Sequence, residues 1–214
     1  MALFADHLQY VKRSEITVSA PLTEDGPRLR IPVKHDAAAL PIARKISEKQ
    51  DNWRRKHRQT LRHLYHDYPF AHYYLPQIEE WYAETEEKLA DFLFKTLTSL
   101  SGFLHFNLNW KRSSEIHLND SSHEDYIIKA IRPRQSAEYL TEREKGLRWD
   151  VLRRAGIQRR PFKPLPSAHL FQSYASECVL TILMQFGPEA GYLIRQFMPA
   201  NQETELGESN TYEV

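Results

Sequence analysis

The spacing of apolar residues in this chain passes from a period of two to a period near 3.6 and back again, and this limits what it can fold into. Residues 15–20, EITVSA, place Ile16, Val18 and Ala20 on one side of an extended segment. Residues 28–33, RLRIPV, do the same with Leu29, Ile31 and Val33. Such alternation marks a half-buried strand. Asp25-Gly26-Pro27 lies between them and is turn chemistry, so the two segments read as a β-hairpin. Pro32 has no N–H to give to a ladder, which puts the second strand at a sheet edge. Short strands are also expected at 7–11 and 42–46.

The middle of the chain has helical spacing. Asp51 or Asn52 can cap a helix running to about residue 67, and Pro69 stops it. A second helix is expected from about Pro76, with Leu89, Phe92, Leu93, Leu97 and Leu100 on its apolar face and Gly102 as its end. Residues 103–110, FLHFNLNW, return to alternation, and SSEIHL extends or follows that strand. Residues 119–122 read as a loop, and 124–132 as a short strand or helix. Residues 136–168 read as a basic, proline-punctuated irregular connection. A helix over roughly 174–185 is followed by Gly187-Pro188-Glu189, which restarts a helix with proline in its first turn. The expected fold is α+β in a single domain over 1–199: N-terminal β-hairpin and strands, a central helical pair, further strands, C-terminal helices. The polar tail 200–214 is expected to be disordered.

Composition removes several function classes. The net charge of +1 argues against a nucleic-acid binder, whose domain is usually clearly basic. With 7 glycines and neither GxGxxG nor a phosphate-binding loop, a dinucleotide or P-loop site is not expected. No HExxH or CxxC is present, and neither a metal nor another cofactor is expected. The single cysteine, Cys178, permits no intrachain disulfide and suits a reducing compartment. No apolar run spans a bilayer and no signal peptide is visible, so a cytoplasmic location is expected.

The stretch DNWRRKHRQTLRHLYHDYPFAHYY, residues 51–74, concentrates the candidate chemistry. On a helix, Trp53, His57, Leu61, Leu64 and Tyr65 share one face, while Arg54, Arg58 and Arg62 form a row beside it. His57 therefore sits inside an apolar stripe. It is either a core histidine satisfied by a neighbour or a general base or substrate ligand that titrates near neutral pH. The arginine row is either a solvated face or a binder of phosphate or carboxylate through guanidinium forks. His63 and His66 with Asp67 could hold zinc, but histidine pairs on exposed helices are common without it. Cys178 is either a small buried hydrophobe or a nucleophile paired with a remote histidine.

Three stretches, in order, resemble the WbqC-like family of bacterial proteins. The first is ADHLQYVKRSEITVSAP followed by LRIPVK; the second is the 51–74 stretch, with Trp53, His57, Tyr65, Pro69, Phe70 and Tyr73 or Tyr74; the third is VLTILMQFGPEA. The family is linked with O-antigen and other surface-polysaccharide gene clusters, and a transfer of an aminoacyl group, such as glycyl, onto a sugar has been suggested for it. The resemblance implies a transferase with a small-molecule substrate, a sugar nucleotide or an activated amino acid. His57 and Tyr65 would be its catalytic pair. Gln9, Tyr10, Arg13, Trp53, Arg54, Arg112 and Ser113 would bind substrate, with the arginines near phosphate. Relatives usually start with a strand and a His-Gln-Pro motif that is not seen here, and carry Asp where Thr181 stands and Ser where Cys178 stands. These departures imply the alternative of an N-terminally short, non-catalytic member that binds a glycan precursor or a partner protein.

Overall fold

The computed structural model describes residues 2–12, 16–23, 25–35, 40–49, 52–83, 87–115, 124–125, 128–129, 138–141, 148–161 and 178–197. Among these, helix dominates a mixed α and β content. Helices α1 (Trp53–Tyr65), α2 (Ala71–Glu80) and α3 (Leu89–Phe103) form the middle; α4 (Trp149–Arg154), α5 (Val179–Phe186) and α6 (Ala190–Phe197) follow. The strands make two parallel pairs. β1 (Ala2–Phe4) pairs with β2 (Trp110–Arg112), and β3 (Glu138–Thr141) pairs with β4 (Gln158–Pro161).

Helix α1 forms as its periodicity predicts. Trp53, His57, Leu61 and Tyr65 are buried on one face, while Arg62 and His63 face solvent at its C-terminal end, where cations suit the helix dipole. Asn52 enters the helix in the left-handed conformation, φ 49°, one that asparagine tolerates. The turn at Pro69 then ends in Phe70, whose N–H reaches the Met184 carbonyl of α5 at 3.0 Å. The chain is thereby placed to begin α2 at Ala71.

Several expectations require correction. The second helix does not begin at Pro76: that residue lies exposed inside α2, which starts five residues earlier because the Pro69–Phe70 turn is anchored on α5. The apolar run that was expected to continue this helix belongs to the separate α3. The strand expected over 103–110 reduces to Trp110–Arg112. Its first residues complete α3, which stops where His105 turns to φ 52° and Phe106 donates to the Ser101 carbonyl. At 7–11 there is a turn and one bridge, Gln9 to Pro41, instead of a strand; at 42–46 there is a 3-10 turn, Ile42–Arg44. The segments 16–20 and 28–33 meet antiparallel, but only as an isolated bridge, Val18 to Arg30. Ser19 Oγ takes the Leu29 N–H, so a side chain replaces the next rung of a ladder. Within 136–168, the described residues form β3, α4 and β4 in place of an irregular connection, and Leu152 and Ile157 make a small core. The expected loop at 119–122 and tail at 200–214 lie outside the described residues.

The main core joins α1, α2, α3 and α5 through Leu61, Tyr65, Ile78, Leu89, Leu183 and Met184. Two glycines mark close approaches between parts of the chain distant in sequence. A Cβ on Gly191 would stand 1.9 Å from the Leu104 carbonyl oxygen, and one on Gly187, at φ 57°, would stand 2.5 Å from the Phe70 ring. Both positions let the last helices settle onto the middle of the chain.

Candidate functional site

Helix α3 separates two groups of polar side chains. Phe92, Leu93 and Thr96 line a cavity of about 210 Å³, into which His57 also faces. Asp91 and Phe94 instead meet the β1–β2 pair, through an ion pair from Arg112 to Asp91 and ring contact between Phe94 and Phe4 at 6.0 Å.

The cavity is walled by the 16–19 and 29–31 segments, by α3, and by the start of α5. Most of its wall is apolar; Thr17, Ser19, His57, Tyr82, Thr96 and Cys178 supply the polar atoms. His57 is 6% exposed. Its Nε2 lies 3.0 Å from the Arg30 carbonyl. A carbonyl only accepts, so Nε2 donates, and in the neutral ring Nδ1 is the basic nitrogen. Trp53 and Tyr82 meet the ring edge-on, at 5.1 and 5.7 Å between centroids. Burial first, then the neighbouring Cys178 sulfur, hold the Tyr82 phenol far above its ordinary value. Burial also pushes the Cys178 thiol up, against a backbone hydrogen bond from Leu180 that lowers it. Both groups are protonated at neutral pH, so Cys178 is set as a buried thiol rather than a thiolate nucleophile.

The remaining sequence candidates fall in different places. Trp53 packs beside His57, and its Nε1 is buried without a hydrogen-bond partner among the described residues. Arg54 stacks over the Trp53 ring at 4.4 Å and lies 5.9 Å from Phe92. Tyr65 does not line the cavity. Fully buried, its hydroxyl stands 2.8 Å from Thr181 Oγ1 and 3.4 Å from the Leu22 carbonyl, and Thr181 Oγ1 donates to the same carbonyl. Tyr10 places its hydroxyl 3.4 Å from Thr17 Oγ1, with the Lys45 ammonium 5.2 Å over its ring. Gln9 is exposed. Arg112 is held by Asp91 and stacks on Phe94 at 4.5 Å. Arg13 lies outside the described residues. His63 and His66 stack 6.2 Å apart on the surface, and His66 pairs with Asp67. Among the described residues no three His, Cys, Asp or Glu converge to hold a metal ion, and no helix is long and apolar enough to cross a membrane.

Ser113 belongs to a second group that the sequence did not reveal. It follows β2, and Asp6 and His7 follow the parallel β1. Ser113 Oγ donates to Asp6 Oδ1 at 2.7 Å, and lies 2.8 Å from His7 Nδ1 and 3.1 Å from the His7 N–H. Ser114 gives its N–H to Asp6 Oδ1 at 2.8 Å and its hydroxyl to Asp6 Oδ2 at 2.7 Å. Asp6 is 1% exposed, and no Lys or Arg pairs with it among the described residues. A separation of 107 residues hides this contact from any local pattern.

Comparison with curated proteins and with solved structures finds no match. A model of the WbqC-like protein family matches residues 1–154, which hold His57, Asp6, His7 and Ser113 but not α5 or α6. The matched span is well over half of the 214 residues. The chain belongs to the WbqC-like protein family.

Proposed function

We propose that this protein is a group transferase that takes a small-molecule substrate in the cavity beside His57. The reaction we assign is transfer of an aminoacyl group, such as glycyl, onto a sugar in surface-polysaccharide or O-antigen synthesis. One observation carries the reading: a buried histidine, held through Nε2 on a backbone carbonyl, faces a cavity large enough for a small group. His57 is the group that takes a proton from an attacking amine or hydroxyl. The apolar wall suits the side chain or acyl part of an activated amino acid better than a nucleotide. Arg54, stacked on Trp53 and 5.9 Å from the Phe92 ring that lines the cavity, is the cation we assign to a phosphate of the activated donor. Tyr65 and Thr181 act behind the cavity by fixing the 21–22 segment.

A second reading has its own observation. The same hydrogen bond from His57 to Arg30 ties α1 to the 28–33 segment, which is what a purely structural histidine would do in a non-catalytic member. Ligand-induced thermal shift separates the two. A ligand at 100 times its Kd stabilises the folded state by about 2.7 kcal/mol, or about 5–11 °C in a chain of this size. The transferase reading expects such a shift with one class among aminoacyl donors and sugar nucleotides, abolished in a folded His57→Gln variant. No shift in the parent, with early melting of His57→Gln, assigns His57 to the core.

A further inference from the structure

Tyr82 stands apart from the other hydroxyl-bearing residues of the His57 cavity. It lines the cavity and is 7% exposed, yet its hydroxyl makes no hydrogen bond among the described residues. Buried polar groups are as a rule hydrogen-bonded, and one that is not calls for an explanation. The neighbouring hydroxyls have partners inside the chain. Ser19 Oγ donates to the Ala20 carbonyl at 2.6 Å and accepts the Leu29 N–H at 2.9 Å. Thr96 Oγ1 donates to the Leu93 carbonyl at 2.9 Å, and Thr17 Oγ1 lies 3.4 Å from the Tyr10 hydroxyl. Burial keeps the Tyr82 phenol protonated, so it has a proton to donate.

The rest of the wall specifies what kind of group carries the acceptor. Leu93, Leu97 and Leu100 recur at helical spacing along α3, are half-buried, and line the cavity beside Phe92. Among the described lining residues there is no Asp, Glu, Lys or Arg. A charged group would therefore lose its hydration there and gain no ionic partner. Size narrows the choice further. An apolar cavity of about 150 Å³ takes a benzene ring. At about 210 Å³, this one takes about six to nine heavy atoms on the same scale. A glycyl group is smaller than that and has no side chain to lie on the leucines.

We propose, resting on the transferase reading, that the cavity selects an acyl group with an uncharged hydrocarbon part of leucyl size. The hydrocarbon lies on Leu93, Leu97 and Leu100, and the acyl carbonyl oxygen accepts a hydrogen bond from the Tyr82 hydroxyl. The Tyr82 and His57 rings meet at 5.7 Å between centroids, so a carbonyl held by the phenol stands beside the histidine. Tyr82 is a substrate-binding residue in this scheme, and the α3 leucines set the length and polarity of the group that is taken.

The test titrates small uncharged probes into the full chain and follows the leucine methyl signals by carbon-13 NMR. Each buried methylene tightens binding about fourfold, so 4-methylpentanamide is expected to bind about two hundredfold tighter than acetamide. The ammonium of 5-aminopentanamide, a chain of similar length, is expected to prevent binding. Tyr82→Phe should weaken 4-methylpentanamide about fivefold, the equivalent of one hydrogen bond, and leave benzene unchanged. Leu97→Trp should abolish the binding of both. Should Tyr82→Phe fail to fold, Leu97→Trp and the ranking of probes on the parent decide. Leucinamide that binds as well as 4-methylpentanamide assigns the hydrocarbon to an amino-acid side chain; leucinamide that does not bind assigns it to a plain acyl chain. Acetamide as tight as 4-methylpentanamide overturns the proposal, and so does a folded Tyr82→Phe that weakens benzene as much as the amide, or neither. If the probes rank as expected but no acyl donor is turned over onto a sugar, the transferase reading falls and the assignment of the cavity stands. If glycyl is turned over as well as leucyl, the transferase reading stands and this assignment falls.

Discussion

Thr181 sits at the centre of a buried hydrogen-bond node and should matter more than the tyrosine beside it. Its hydroxyl donates to the Leu22 carbonyl and accepts from Tyr65, so the three groups join α1, α5 and the 21–22 segment. In Tyr65→Phe, Thr181 still serves the Leu22 carbonyl, and the loss is one hydrogen bond, about 1 kcal/mol. In Thr181→Val the shape is kept, but both good bonds go. The Tyr65 hydroxyl and the Leu22 carbonyl then both lose Thr181 and retain their 3.4 Å contact with each other. Leaving buried polar groups poorly satisfied costs about 1–3 kcal/mol each, so a loss of about 2–3 kcal/mol is expected. Urea unfolding followed by tryptophan fluorescence gives both values, provided the m-value is unchanged. In Tm the losses correspond to about 2–4 °C and about 4–12 °C. Equal losses, or a larger loss from Tyr65→Phe, would refute the node as drawn. A Tyr65→Phe protein of parental stability that has lost ligand response would instead move the tyrosine into the chemistry.

Two further expectations rest on the cavity wall. Cys178 should react with iodoacetamide at neutral pH at least several-fold more slowly than a free cysteine, because its thiol is held up by burial; a rate equal to the free amino acid would place it outside the cavity. Tyr82 and Tyr74 are both raised by burial in the folded state, so folding holds their protons more tightly than the unfolded chain does. Their contribution is complete below the ordinary tyrosine value of 10.0 and is lost as pH climbs above it. Thermal unfolding should be level through pH 9 apart from other groups, then fall steeply above 10, and Tyr82→Phe should flatten that fall. An unchanged slope in Tyr82→Phe counts against the burial of its hydroxyl.

What the sequence disclosed and what it hid follow from range. The α1 stripe of Trp53, His57, Leu61, Leu64 and Tyr65 was readable because helical periodicity is local, and all of it is buried except Leu64, which is half-buried. The Leu89–Leu100 pattern likewise falls within α3. β3 and β4 were not readable, since their sequences EYLT and QRRP carry no alternating apolar face; they exist through backbone pairing across an intervening helix. The start of α2 was missed because it is set by a tertiary hydrogen bond to Met184, which outweighs the local signal of Pro76. For the site, sequence found His57 and its neighbours on α1, and it named Ser113. It did not connect Ser113 to Asp6 and His7, and nothing within a window of ten residues could have done so. Tyr82, too, carried no signal: it lies in the turn after α2, and only the fold brings it to the His57 ring.

The closure of the Leu22 segment by α5 has a consequence for the order in which the protein can mature on the ribosome. Cys178 donates its N–H to the Pro21 carbonyl, and Thr181 reaches Leu22 across 159 residues. Until the codons for α5 have been read, the Leu22 carbonyl and the Tyr65 hydroxyl have no Thr181 to meet, and the cavity lacks the wall made by Cys178, Val179 and Leu180. Helices α1 to α3 can associate as they emerge, since their contacts are near in sequence. The ligand chamber cannot. It is finished last, and a nascent chain stalled at residue 154 would hold α1 to α3 without the Leu183 and Met184 that complete their core, around a chamber open on one side.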